Sequence, residues 1–401
     1  YALFRANRLP TTMVGFEIIK NKPPAIGFSG NTKRSHDFAM IDGTIEFTAA
    51  DSNPAIDNTP QNNLYMHDVY IKNAATLVKS GSYAAVRGGT GWKRIIEYAS
   101  ADKNEGWNMV KPNGSEWSLT RDQIVDVVNC TEAQVPRDFV RRHIWDEEDF
   151  PSPDDVFDRA AADGNPYDAD ECVVAGVQNN VPADDTPPDD EADSVGPDCR
   201  AGLQALIDAG CKWILLPNKK YLVKKNPVGD FGIKLGMETI LLGVKGAEIR
   251  SHDEWNPTSE MPVMTTEDSA QAASKVGWVK FGYVHSPGTA QNPLAYDWFN
   301  AYDWRAGTMS VLRHVGSNVC PASGKKTTNN RSSVKFSGNA GGRHFAIGSG
   351  GATAADGPGN YRRIKVQDTS NPLAIYNPNM EDGVDLPQFE IIDSSNVIIY
   401  G

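Results

Sequence analysis

The chain has 401 residues and a formal net charge of −12, from 39 Lys and Arg against 51 Asp and Glu; that balance argues against a nucleic-acid binder, which needs a basic face. The length exceeds one compact core and leaves two domains or one elongated solenoid. Gly at 36 and Pro at 25, beside 40% hydrophobic residues, suit a turn-rich β architecture, and no apolar run is long enough to cross a bilayer.

The first hundred residues carry a faint repeat. Ile19, Ile45, Ile71 and Ile96 sit in "GFEIIKN", "DGTIEFT", "HDVYIKN" and "KRIIEYA", at spacings of 26, 26 and 25 residues. Turn formers bound each apolar strand, and no helical pattern lies between them. A period of about 20–50 residues marks stacked supersecondary units. Built from strand and turn, the unit reads as one coil of a β-solenoid, which needs neighbours to bury its inner face. His67 alternates with strand residues in "MHDVYI" and reads as structural.

Residues 146–193 change character. "DEEDFPSPDDVFDRAAADGNPYDADE" and "PADDTPPDDEAD" are dense in Asp, Glu and Pro, as expected of a linker or exposed excursion. No acidic loop has the spacing and Gly of a calcium site. Cys130, Cys172, Cys199, Cys211 and Cys320 form no CxxC pair, so no metal and no other cofactor is expected. Asn113-Gly-Ser, Asn129-Cys-Thr and Asn330-Arg-Ser fit the acceptor pattern for an N-linked glycan. Matches of this number are close to chance and matter only in a chain secreted by a eukaryote. The chain begins at Tyr1 rather than Met, which is compatible with a removed signal peptide. The expectation leans to a secreted, extracellular protein.

"DCRAGLQALIDAG" (198–210) predicts a short helix over 199–209, capped by Asp198, striped by Leu203, Leu206 and Ile207, and stopped by Gly210. The strands "KWILLPNKKYLV" (212–223) and "IKLGMETILLGVKGAEIRS" (233–251) follow at once. A helix in this place plugs the open end of a coil stack.

From "LQALIDAGCKWILLPNKKYLV" to "METILLGVKGAEI" the chain resembles the opening segment of the pectate-lyase-superfamily, or glycosyl hydrolase family 28-related, right-handed parallel β-helices. Their usual form is a Gly-Asp-Gly and Thr-Asp-Asp-Thr run, an "AIQAAIDA" helix, then "VYLPAGTYLV". Here the first part survives only as "ADDT" (183–186). "RDFVRRHIWDEEDFPSPDD" (137–155) resembles the connector of tandem β-helices, and "AYDWRAGTMSVLRHV", "YRRIKVQDTSNPLAIYNPN" and "IIDSSNVIIYG" resemble later coils. The likeness covers 130–401 well and 1–129 loosely. It implies an all-β, right-handed parallel β-helix in two pieces: coils over 1–130, a linker over 131–196 and a second β-helix over 197–401. Both ends look like coils cut partway, so a longer polypeptide or a homo-oligomer is expected to cover them.

Most named catalytic motifs are absent. "RIK" (363–365) matches one motif of the pectin-cleaving family 28 enzymes, but no Gly-His-Gly accompanies it, so polygalacturonase activity is not expected. Glycoside cleavage needs two carboxyl groups about 5–9 Å apart, and coils about 4.8 Å apart can supply them. The candidates are Glu381 and Asp382 in "NMEDGVD", with Asp385 beside them, and Asp253 and Glu254 in "HDEW"; Asp57 is a further loop acid. Aromatic faces on which sugars stack are sought in "YDWFNAYDWRAG", with Trp298, Tyr302 and Trp304 as the platform and Arg305 beside it. A lyase would need a base such as His285, Arg313, His314 or His344. The expected function is a glycoside hydrolase acting on a neutral or weakly charged polysaccharide. Paired β-helices resemble the family 55 β-1,3-glucanases at fold level alone. The alternatives are a polysaccharide lyase and a non-catalytic structural or adhesion solenoid.

Overall fold

The computed structural model describes residues 4–6, 11–28, 38–49, 51–100, 109–110, 116–117, 123–139, 143, 172–176, 181–182, 196–244, 247–252, 254–255, 257–282, 299–318, 331–350, 361–380 and 389–400. The chain divides into two compact units, Tyr1–Asp149 and Phe150–Tyr400. Together they hold about 9 stacked turns of parallel strands, the expected all-β parallel β-helix; parallel crossovers of this kind are right-handed.

In the first unit one sheet stacks Thr11–Lys20, Phe38–Phe47 and Leu64–Lys72 in parallel. A second sheet stacks Phe4–Ala6, Ile26–Phe28, Pro54–Asn58 and Ala74–Ser80. The long strands turn a corner at Gly15, Asp42 and Asp68, which lie one above another with φ of 60°, 47° and 51°. Aspartate tolerates this left-handed backbone because its short polar side chain can bond locally. The stacked isoleucines are Ile18, Ile45 and Ile71, all in the core. Ile19, taken from the sequence as the first member, pairs instead with Glu46 and is 65% exposed. The fourth member is also corrected. Lys93–Ser100 runs antiparallel to Leu64–Lys72, and Ile95 rather than Ile96 faces the core opposite Val69. Antiparallel Val86–Gly89 and Ile124–Asn129 then form the edges of the two sheets.

The segment after that edge packs back on the outer face of the same unit. Val135 and Phe139 are buried against Tyr70 and Trp92. Glu132 accepts from the Trp92 indole at 2.6 Å and pairs with Lys72 at 3.3 Å and Arg137 at 2.5 Å. Buried His143 sits 2.6 Å from the Asp42 carboxylate.

The second unit has three parallel sheets. The first runs Cys172–Val174, Trp213–Leu216, Ile240–Gly243, Lys275–Gly277, Val311–Arg313, Gly342–Phe345, Leu373–Tyr376 and Val397–Tyr400. The second begins at Lys220–Val223, and the third stacks Ile233–Leu235, Met261–Thr266, Phe299–Trp304, Arg331–Ser337, Tyr361–Gln367 and Phe389–Ile392. Inward residues form ladders, among them Ile214, Leu241, Val276, Leu312, His344 and Ile375. Fully burying each aliphatic rung contributes about 1.5–3 kcal/mol.

Helix α1 (Arg200–Asp208) lays Leu203 and Ile207 on the first coil's interior. Its N-cap residue is Cys199, one place beyond the expected Asp198. The Asp198 carboxylate still accepts the Arg200 N–H at 3.0 Å and the Lys224 N–H at 3.2 Å. Gly210, at φ 80°, ends the helix as expected. Between the first and second sheets the corner is short and left-handed at Trp278, His314, Ala346 and Asn377. Each of these donates its N–H to the next coil, at 2.7–3.0 Å.

Candidate functional site

Alternation along Phe299–Trp304 decides what the aromatic stretch can do. Tyr302 and Trp304 are both 0% exposed. Tyr302 packs between Phe281 and Phe336, and the Trp304 indole donates to Ser310 Oγ at 3.0 Å. The sugar platform expected from these two rings is therefore corrected: they are core, and a sugar cannot reach them. The intervening Asp303 and the following Arg305 belong to the outer face of the third sheet.

That face holds a groove of ≈ 340 Å³ crossing four coils, with Lys234, Glu260, Asp268, Asn300, Asp303, Arg305 and Lys335 among its walls. The registry Lys234, Thr265, Asp303, Lys335 forms one outward column, with successive members about 4.8 Å apart by strand spacing. Asp303 is 5% exposed. It accepts from Arg305 Nε at 2.9 Å and from the Ser337 hydroxyl at 2.6 Å. Arg305 Nη1 also reaches Asp268 at 3.2 Å. Glu260 accepts from Asn300 Nδ2 at 2.9 Å and lies 3.6 Å from Lys335 Nζ. Burial opposes the charge on Asp268, but the Asn339 backbone and side-chain N–H groups and the Arg305 guanidinium outweigh it and hold that carboxyl below its usual range. Burial likewise opposes the charge of Arg305, and Asp303 and Asp268 outweigh it, so this cation stays fully protonated.

Of the residues proposed from sequence that lie among the described residues, Arg305 lines the groove. Glu254 is exposed and bound to Lys224 Nζ at 2.6 Å, an ion pair that lowers its pKa. Glu381, Asp382, Asp385, Asp253, Trp298 and His285 lie outside the described residues. His344 is corrected as a candidate base. Its ring is fully buried, Nε2 donates to the Gly341 carbonyl at 2.8 Å and Nδ1 accepts the Leu312 N–H at 3.1 Å, so both nitrogens are occupied. His314 stacks on Trp278 at the corner, with ring centroids 6.0 Å apart, and Arg313, the last residue of a first-sheet strand, lies over Phe345; neither is among the groove's described walls.

Sequence reasoning missed Asp303, Glu260, Asp268, Asn300, Lys234 and Lys335. A usable signal was present at one of them: Asp303 stands between two inward aromatics in "YDWR". The others, single charged or amide residues scattered over separate coils, carried no such local signal. Among the described residues no cluster of His, Cys, Asp and Glu is arranged to hold a metal ion. No family profile and no curated protein matches this sequence. The fold and groove thus define the second unit as a parallel β-helix with a charged, hydrogen-bonding cleft across its third sheet.

Proposed function

We propose that the chain is a carbohydrate-active protein of the pectate-lyase-superfamily type, a glycoside hydrolase whose second unit binds a polysaccharide along the third-sheet groove. One observation carries the reading. Asp303 and Glu260 stand on adjoining coils of one cleft and share Lys335 as a neighbour, through the column with Asp303 and a 3.6 Å contact to Glu260. Asp303, held by a guanidinium and a hydroxyl, takes the part of base or nucleophile, and the more open Glu260 that of proton donor. The multi-donor cations Lys234, Arg305 and Lys335 offer N–H groups to sugar hydroxyls. The secreted location belongs to the same proposal, since polymeric substrates lie outside the cell.

The test is a panel of polysaccharides incubated with the full chain and with Asp303→Asn and Glu260→Gln. New reducing ends without an ultraviolet-absorbing unsaturated product, lost by about 10²-fold or more in each variant, support the hydrolase. The unsaturated product would instead establish a lyase, a reading favoured by the cations Lys234, Arg305 and Lys335 in the same groove. Absence of cleavage across the panel would leave the non-catalytic solenoid.

A further inference from the structure

The first unit has a groove of its own, ≈ 400 Å³, between Ala84, Val86 and Arg87 on one side and Val125, Val128 and Asn129 on the other. One wall is the edge strand Ile124–Asn129, where Val125 is 46% and Val128 40% exposed. An open strand edge with exposed β-branched residues invites pairing with other chains unless something covers it. The last residue of this strand, Asn129, is exposed and begins the Asn129-Cys130-Thr131 sequon. Its side-chain Oδ1 is taken by Lys93 Nζ, and its amide nitrogen has no hydrogen-bond acceptor among the described residues. Thr131 is exposed at the strand's exit, where it opens a 3₁₀ turn through Gln134.

We propose that Asn129 carries an N-linked glycan whose first two N-acetylglucosamine units lie in this groove and cover the edge strand. The host's oligosaccharyltransferase makes the bond. The Asn129 amide nitrogen attacks the anomeric carbon of a polyprenyl-diphosphate oligosaccharide and forms C1–N. The C1–O bond breaks with its electron pair leaving on the diphosphate, and one amide proton passes to a base of the transferase. The groove lies within the range of about 300–1,000 Å³ that small ligands occupy. Its chemistry suits a neutral acetamido sugar: valine and alanine side chains for the sugar's apolar face, and Arg87 and Lys93 as donors to hydroxyl and acetamide oxygens.

The inference rests on passage through a eukaryotic secretory pathway and not on the second unit's groove. It is tested on the extracellular protein from its native source. Enzymatic deglycosylation in heavy-oxygen water marks each formerly glycosylated Asn as labelled Asp, read by peptide mass mapping. The label is expected at Asn129 and absent in Asn129→Gln expressed in a eukaryotic secretory line. That variant should also bind more of an apolar dye than the glycosylated wild type. A bare Asn129 beside a labelled Asn113 or Asn330 overturns the site while leaving secretion standing. Bare asparagines at all three overturn both. Occupancy without any change in dye binding on Asn129→Gln overturns the covering role.

Discussion

His344 makes the second unit acid-sensitive by a calculable amount. It occupies a rung of the inward ladder between Leu312 and Ile375, 4.9 Å from the Phe336 ring centroid and 5.8 Å from that of Trp304. Burial, only partly opposed by the Gly341 carbonyl, pushes its pKa from 6.5 down to about 3. Below pH 6.5 the unfolded chain takes up a proton here that the folded one refuses, so stability falls as pH falls and is fully present above 6.5. At about 1.36 kcal/mol per pH unit, the loss at pH 5 is about 2 kcal/mol, and it levels off near pH 3 at about 5 kcal/mol. His344→Gln keeps a donor and an acceptor but does not titrate. It should lower stability at pH 7 by about 1–3 kcal/mol through imperfect replacement of two buried hydrogen bonds, and show about 2 kcal/mol less loss between pH 7 and 5 than wild type. Urea unfolding followed by hydrogen exchange on second-unit peptides gives both numbers. Equal pH dependence in wild type and His344→Gln would refute the reasoning.

Three further outcomes follow from packing. Ile18→Ala should cost about 2–5 kcal/mol, whereas Ile19→Ala, one residue on but 65% exposed, should stay within about 0.5 kcal/mol; urea midpoints for the first unit compare them directly. Gly307→Ala would place its new Cβ 1.9 Å from the Ala270 carbonyl oxygen of the coil below. Because that neighbour is backbone, the two coils must separate, and a loss of at least 2 kcal/mol is expected in thermal or urea unfolding. Trp304→Phe, which removes the buried indole bond to Ser310, should lower stability by about 1–3 kcal/mol and leave the affinity for any bound oligosaccharide unchanged by calorimetry, since the ring belongs to the core.

Local chemistry is what the sequence determined by itself. Asp198, the Leu203 and Ile207 stripe and Gly210 define α1 within the thirteen residues 198–210, because caps and stripe act over a few residues. The near-constant isoleucine spacing gave the coil length for the same reason: each coil carries its own turns. Tertiary structure decided the rest. Ile18 and Ile19 are adjacent and alike, so only pairing with Ile45 settles which is buried. The strand around Ile96 has the pattern of its predecessors, yet runs antiparallel, and a period-two pattern reads the same in either direction. In "YDWR" alternation separates Tyr302 and Trp304 from Asp303 and Arg305, but which pair faces inward depends on Phe281 and Phe336, residues from other coils. The groove is more remote still from local sequence. Lys234, Glu260, Asp303 and Lys335 stand 26 to 43 residues apart in successive steps, and the parallel register that sets them side by side is fixed by the hydrogen bonds and buried ladders of coils that meet only once the solenoid has wound.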